Sequence, residues 1–110
     1  IMEIKTSDKF CIITPFSQKL SEVDVQKIFE EIWVNRNLKI GIDMSYVNEC
    51  GVDFIDMLTK IGNVGLFNIA SDVFVLFNIM NIDKKVELFV SEMDFKSEKH
   101  QLLNRRFCII

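Results

Sequence analysis

Apolar and polar residues alternate at the start of the chain and then give way to helical spacing. The segments "MEIKT" and "KFCIITP" alternate and are separated by "SDK", which predicts two short strands in a hairpin over residues 2–6 and 9–14. In the stretch that follows, "SEVDVQKIFEEIWVN", apolar residues recur every three or four positions. Ser21 is placed as an N-cap with Asp24 three residues later, so this stretch predicts an amphipathic first helix.

Strand-like and helix-like segments alternate through the rest of the chain. They are a strand over 38–47, a short helix over 51–62, a strand over 64–70, a helix from Ser71, a strand over 84–90 and a helix within 97–107. The resulting order is ββαβαβαβα. Because parallel neighbours need a crossover, we predict an α/β fold with a central mixed, mostly parallel β-sheet packed with about four α-helices. The length of 110 residues predicts one domain over 1–110.

Composition and charge exclude several classes of function. The net charge is −3 and the basic residues are scattered, so nucleic acid is not an expected partner. The longest run without a charged residue, 61–71, is shorter than the roughly 20 apolar residues of a membrane span, and we expect no direct membrane insertion. Cys11, Cys50 and Cys108 fit neither a disulfide framework nor a zinc site, so we expect reduced thiols and a cytoplasmic protein.

The loop between the strand over 38–47 and the helix over 51–62 is the first candidate site. Binding sites of parallel sheets lie at the carboxyl ends of the strands, which is where this loop begins. We predict that the loop binds a protein partner through Tyr46, Asn48, Glu49, Cys50, Gly51 and Asp53.

Catalysis by this loop is not expected. Cys50 at a helix N-terminus would be acidified by the free N–H groups, but a Cys-x5-Arg phosphatase needs an arginine where the sequence has Asp56. The single histidine, His100, lies in a polar stretch, and no spacing brings it to Cys50. Neither metal-ligand spacing nor a glycine-rich phosphate loop is present, so we expect no enzymatic activity and no cofactor. A redox sensor using Cys50 stays open as an alternative.

The helix that starts at Ser71 has more apolar residues than one buried face requires. Four of them at spacing i, i+3, i+4 and i+7 fill one face, namely Val73, Leu76, Phe77 and Met80. Val75 and Ile79 lie on the opposite side, and Phe74 lies at the flank. A helix that is apolar nearly all round is either buried or covered, so we predict that these three residues bind a protein partner or a second copy of the chain.

With this order of elements, three stretches resemble a STAS domain, the fold shared by anti-sigma-factor antagonists and the cytoplasmic tails of sulphate transporters. "MEIKTSDKFCIITPFSQKLSEVDVQKIFEEI" resembles the opening hairpin and first helix of the family. "LKIGIDMSYV" and "NECGVDFIDMLTKI" resemble its strand and the junction into the next helix. "LFNIASDVFVLFNIMNIDKKVELF" resembles the following strand, the apolar helix and the segment that leaves this helix. The resemblance spans essentially the whole chain.

The resemblance also implies a role for the loop. In regulatory members of the family, a partner kinase that is also the anti-sigma factor phosphorylates a serine at the junction. Anchored on Gly51, the acceptor position here holds Glu49 or Cys50, and Ser45 matches a serine that is not the acceptor. A carboxylate near a helix N-terminus is stabilised by about 0.3 to 1 kcal/mol, so Glu49 either imitates the phosphorylated state or, like Asn48, is a helix cap.

The function implied by the resemblance is therefore non-enzymatic and regulatory. We expect a cytoplasmic protein-interaction domain whose partner is an anti-sigma-factor or kinase-like protein, with the usual phospho-acceptor replaced. The alternative is a small cytoplasmic STAS subunit of a lipid/ABC transport complex, whose partner would be a permease or an ATPase.

Overall fold

The computed structural model describes residues 1–98, so most of the helix predicted over 97–107 lies outside the described residues. The strands are β1 (Met2–Thr6), β2 (Phe10–Pro15), β3 (Lys39–Asp43), β4 (Val64–Phe67) and β5 (Glu87–Leu88). The α-helices are α1 (Glu22–Val34), α2 (Val52–Ile61), α3 (Ser71–Ile79) and α4 (Glu92–Ser97), and a 3₁₀ turn covers Ile82–Lys84. In this part of the chain no helix is long and apolar enough to span a membrane. The predicted α/β fold is confirmed, and the elements follow the predicted order as far as β5.

The strands form one sheet in the order β1-β2-β3-β4-β5. β1 runs antiparallel to β2, whereas β2, β3, β4 and β5 are parallel to one another. The carboxyl ends of these four strands therefore share one edge of the sheet, which we call the carboxyl edge. The loops that follow β3 and β4 leave from this edge and lead into α2 and α3.

The two faces of the sheet bury different clusters. Strand residues Ile13, Ile42 and Leu66 point to one face and pack with apolar residues of α1, α2 and α3. On the other face, Phe95 of α4 packs against Ile12, Phe67 and Phe89. Helices thus cover both faces, as the parallel strands require.

Two glycines make room for α4. Gly41 of β3 and Gly65 of β4 are directly paired across the sheet. A Cβ atom would lie 2.7 Å from Phe95 at either position, closer than side chains approach one another. The paired glycines therefore form a depression in the sheet that receives the Phe95 ring.

The first helix begins as its sequence predicts. The Ser21 hydroxyl accepts a hydrogen bond from the Asp24 N–H at 3.1 Å, and the Asp24 carboxylate accepts one from the Ser21 N–H at 2.9 Å. These bonds, the one from the Ser21 backbone foremost, lower the pKa of Asp24. The predicted capping box is confirmed.

Two predicted strands end early because polar side chains intervene. The strand predicted over 38–47 ends at Asp43, whose carboxylate accepts hydrogen bonds from the Ser45 N–H at 3.0 Å and the Asn68 amide at 3.1 Å. The strand predicted over 64–70 ends before Asn68, which adopts a left-handed conformation with φ +56°.

The end of the described chain also differs from the prediction. The strand predicted over 84–90 is reduced to the two residues of β5. α4 was not predicted, because six residues are too few to show a helical period. Its start has a local cap, since the Ser91 hydroxyl accepts a hydrogen bond from the Asp94 N–H at 3.2 Å.

Candidate functional site

The loop between β3 and α2, residues 44–51, forms a bend at the carboxyl edge that we call the elbow. Met44 and Val47 are fully buried and anchor the first half of the elbow in the core. The Val47 N–H donates to the Met44 carbonyl at 3.0 Å, which closes a tight turn with Ser45 and Tyr46 exposed at its tip. Tyr46 is thus exposed at the tip of a turn that is anchored by the buried residues Met44 and Val47.

The second half of the elbow is held by the segment that precedes α1. The Gln18 carbonyl accepts hydrogen bonds from the N–H groups of Asn48 at 2.7 Å and Glu49 at 3.0 Å. The Leu20 N–H donates to the Glu49 carbonyl at 3.1 Å. Because three backbone hydrogen bonds hold this part while the Asn48 and Glu49 side chains are exposed, a partner would meet them on a preorganised backbone.

Neither Asn48 nor Glu49 caps α2, so the helix-cap interpretation is wrong. The N-cap is Gly51, and no side chain accepts a hydrogen bond there. Within the first turn, the Asp53 carboxylate accepts a hydrogen bond from the Phe54 N–H at 2.9 Å. No ion pair within residues 1–98 involves Glu49, so its exposed carboxylate is available to a partner.

The surroundings of Cys50 disfavour its thiolate form. The residue is half-buried, and burial raises the pKa of its thiol to about 11, with a smaller contribution from the Asp53 carboxylate. Desolvation therefore outweighs any acidification by the N-terminus of α2, contrary to the sequence-based expectation. The scarcity of thiolate at neutral pH argues against a catalytic or redox-sensing role for Cys50.

We expect the alkylation rate of Cys50 to keep rising with pH, by about tenfold per unit from about pH 7 to about pH 10, because only the thiolate reacts. The measurement is iodoacetamide labelling of the full chain followed by mass spectrometry of the peptide that contains Cys50. The same peptide in urea-unfolded protein is the control and should level off near its ordinary pKa of 9.0. A plateau below about pH 8 in the folded protein would show that the thiol is acidified after all.

An exposed aromatic pair borders the elbow. The Tyr46 and Phe16 rings meet edge to face, with centroids 5.0 Å apart. Both rings remain about half exposed, Tyr46 at 52% and Phe16 at 44%. Phe16 was missed in the sequence analysis, although its place just after β2 put it at the same edge as the elbow. Exposed aromatic residues of this kind are frequent anchors of protein interfaces.

α3 also presents apolar residues to solvent. Val75 and Ile79 are exposed, as their helical position predicted, whereas Phe74 packs partly against the core and is half-buried. Met80, predicted on the inner face, is exposed instead because it follows the last turn of the helix. We call Val75, Ile79 and Met80 the α3 patch. Since β3 and β4 are adjacent and parallel, α2 and α3 begin at the same edge of the sheet.

A cleft of about 350 Å³ lies at the opposite edge of the sheet. It is lined by Phe29 and Trp33 of α1, the end of α2 and the starts of β3 and β4. The Arg36 guanidinium stacks over the Trp33 ring at 4.2 Å from its centroid. The cleft is thus separate from the elbow.

One antiparallel strand beside four parallel strands, with helices on both faces, is the architecture of the STAS fold, and this chain has that fold. The structure is similar to the solved structure of the anti-sigma factor antagonist SpoIIAA in its unphosphorylated form. The TM-score is 0.71, the similarity covers 94% of this chain and 100% of that chain, and the sequences are 12% identical. No family model matches the sequence, and no curated protein matches it either. The predicted fold resemblance is therefore confirmed by the three-dimensional similarity.

Proposed function

We propose that this chain is a non-enzymatic STAS domain over 1–110 that binds a partner protein in the cytoplasm, in the manner of an anti-sigma-factor antagonist. Contact is made through the elbow and the α3 patch. The observation that carries the proposal is the elbow itself, where buried anchors and backbone hydrogen bonds hold a loop whose side chains are exposed. A fold shared with an anti-sigma factor antagonist supports the same class of function.

In this proposal, Glu49 takes the place of the serine that is phosphorylated in regulatory members of the family. Its carboxylate is part of the side chain, so no kinase or phosphatase adds or removes it, and it is exposed on a hydrogen-bonded backbone. A phosphoserine carries about −1.5 to −2 charge, so Glu49 supplies a weaker, constant version of that charge. Binding is then set by the concentrations of the two proteins rather than by a kinase acting on the elbow.

Replacing one residue of the α3 patch by a charge is expected to weaken binding by at least about tenfold, because burying an unpaired carboxylate in an interface is unfavourable. The variant is Ile79→Asp, with Val34→Asp as control. Ile79 is 70% exposed and ends α3, and Val34 is 71% exposed and ends α1, so the two substitutions carry the same helix-dipole effect. Affinity purification from the native cells identifies the partner, and calorimetry with the purified partner gives the two affinities.

Equal affinities of Ile79→Asp and Val34→Asp would remove α3 from the interface. If the wild-type chain enriches no protein, the proposed function fails.

In the same assay, Glu49→Gln should lower affinity by about threefold to tenfold at low salt and by less at high salt, because it removes one charge. Asp8→Asn removes a charge that is also exposed, in the opening hairpin, and should leave affinity unchanged.

The identity of the partner separates the two roles. A kinase-like anti-sigma factor would support the regulatory function. A permease or an ATPase, recovered from detergent-solubilised membranes, would support the alternative of a subunit in a lipid/ABC transport complex.

A further inference from the structure

Within the part of the chain that the structure describes, the outer edge of β1 has an open row of backbone groups. β1 ends the sheet, and within residues 1–98 β2 is its strand neighbour. The Ser7 N–H donates to the Phe10 carbonyl at 2.8 Å, so the odd-numbered residues of β1 form the hydrogen-bonded pairs with β2. The N–H and C=O groups of Met2, Ile4 and Thr6 therefore point away from the sheet. Such a row is a template for another strand.

The side chains of β1 complement a second copy of the same strand. Glu3 and Lys5 are exposed, and neither forms an ion pair with any other described residue. If two copies of β1 pair antiparallel about Ile4, Glu3 of each copy lies directly opposite Lys5 of the other. Opposite charges at directly facing positions stabilise a strand pair.

Charge also selects this register over its neighbours. The outward backbone groups belong to even-numbered residues, so the allowed registers differ by shifts of two residues. A shift in one direction places Glu3 opposite Glu3, and a shift in the other places Lys5 opposite Lys5. Like charges at facing positions are destabilising, which leaves the register centred on Ile4. On the other face, the half-buried Ile4 residues of the two copies meet beside the core.

We propose that β1 pairs antiparallel with β1 of a second copy and joins the two sheets in a two-fold symmetric dimer. Each copy contributes the same strand to the interface, as two-fold symmetry requires. The Met2 end of β1 lies at the carboxyl edge, since Met2 is paired with Pro15 at the end of β2. Because Met2 faces Thr6 of the other copy, the two elbows lie at opposite edges of the joined sheet. Dimerisation is thus independent of partner binding at the elbow.

Charge reversal tests the register. Sedimentation equilibrium of the full chain should show a concentration-dependent dimer. Glu3→Lys should weaken it by roughly tenfold, because both symmetric pairs become repulsive, and Lys5→Glu should do the same. The double variant, Glu3→Lys with Lys5→Glu, restores two opposite-charge pairs and should return the dissociation constant to the wild-type range.

Ile4→Pro tests the backbone pairing. It removes an N–H that faces water in the monomer, a position where an edge strand accepts proline, so the monomer should remain folded by circular dichroism while the dimer is lost. A wild-type chain that stays monomeric up to about millimolar concentration would overturn the proposal. So would a dimer that survives Ile4→Pro, or one that the double charge variant does not restore. A dimer lost instead with Ile79→Asp would place self-association on the α3 patch and would also overturn it.

Discussion

Phe95→Ala is expected to lower the free energy of unfolding by about 3 to 5 kcal/mol, the range for removing a buried phenylalanine. Phe95 is fully buried and anchors α4 to the sheet. Its ring lies 5.4 Å from Phe89 and 5.7 Å from Phe67 between centroids, and the Lys39 ammonium lies 5.0 Å from its centroid. Truncation leaves a cavity over the paired glycines, which have no side chains to fill it.

Urea denaturation followed by circular dichroism measures this loss. Phe29→Ala is the control, because Phe29 is 41% exposed on α1 and leaves no closed cavity, so its effect should be below about 1 kcal/mol. Equal effects of the two substitutions would show that α4 is not held by a packed ring. A Phe95→Ala variant that is already unfolded without urea would also agree with the expected result, because the loss would then exceed the stability of the wild type.

Gly65→Ala is expected to lower the free energy of unfolding by about 1 to 3 kcal/mol or more, through overpacking. The added Cβ would lie 2.7 Å from Phe95 Cδ1 and 2.8 Å from Phe89 Cε2, so α4 must move away from the sheet. Gly51→Ala is the control, since the nearest atom there is an Asp53 carboxylate oxygen at 3.2 Å and the residue is exposed. Its effect should be much smaller.

A double-mutant cycle identifies the cause. If the clash with Phe95 is responsible, Gly65→Ala should destabilise the Phe95→Leu background less than it destabilises the wild type. Contacting residues show coupling energies of about 0.5 to 3 kcal/mol, which denaturation resolves. Additive effects of the two substitutions would indicate instead that Gly65→Ala acts on the strand alone.

The candidate site was only partly predictable. The position of the elbow follows from the alternation of strand and helix, and the outward direction of Val75 and Ile79 follows from helical period. A helix cap at Asn48 or Glu49, one of the roles that the sequence left open, is excluded because Gly51 is the N-cap, and the Gln18 carbonyl binds both their N–H groups instead. That contact joins segments 30 residues apart, and no local pattern encodes it.

The pKa of Cys50 also could not be predicted from local sequence. Its place before α2 is a local feature and favours an acidic thiol. In the folded protein, burial among residues that folding brings together raises the pKa of its thiol instead. The sign of the shift therefore depends on the environment rather than on the position in the chain.

By itself, the sequence determined the order of elements as far as β5 and the capped start of α1, because periodicity and capping depend on residues within a few positions of each other. Only the tertiary structure decided that Gly41 and Gly65 lie side by side beneath Phe95, and that Phe16 meets Tyr46. It also decided which backbone groups of β1 face outward. These features depend on strand register and on contacts between distant segments, which are set when the whole core packs.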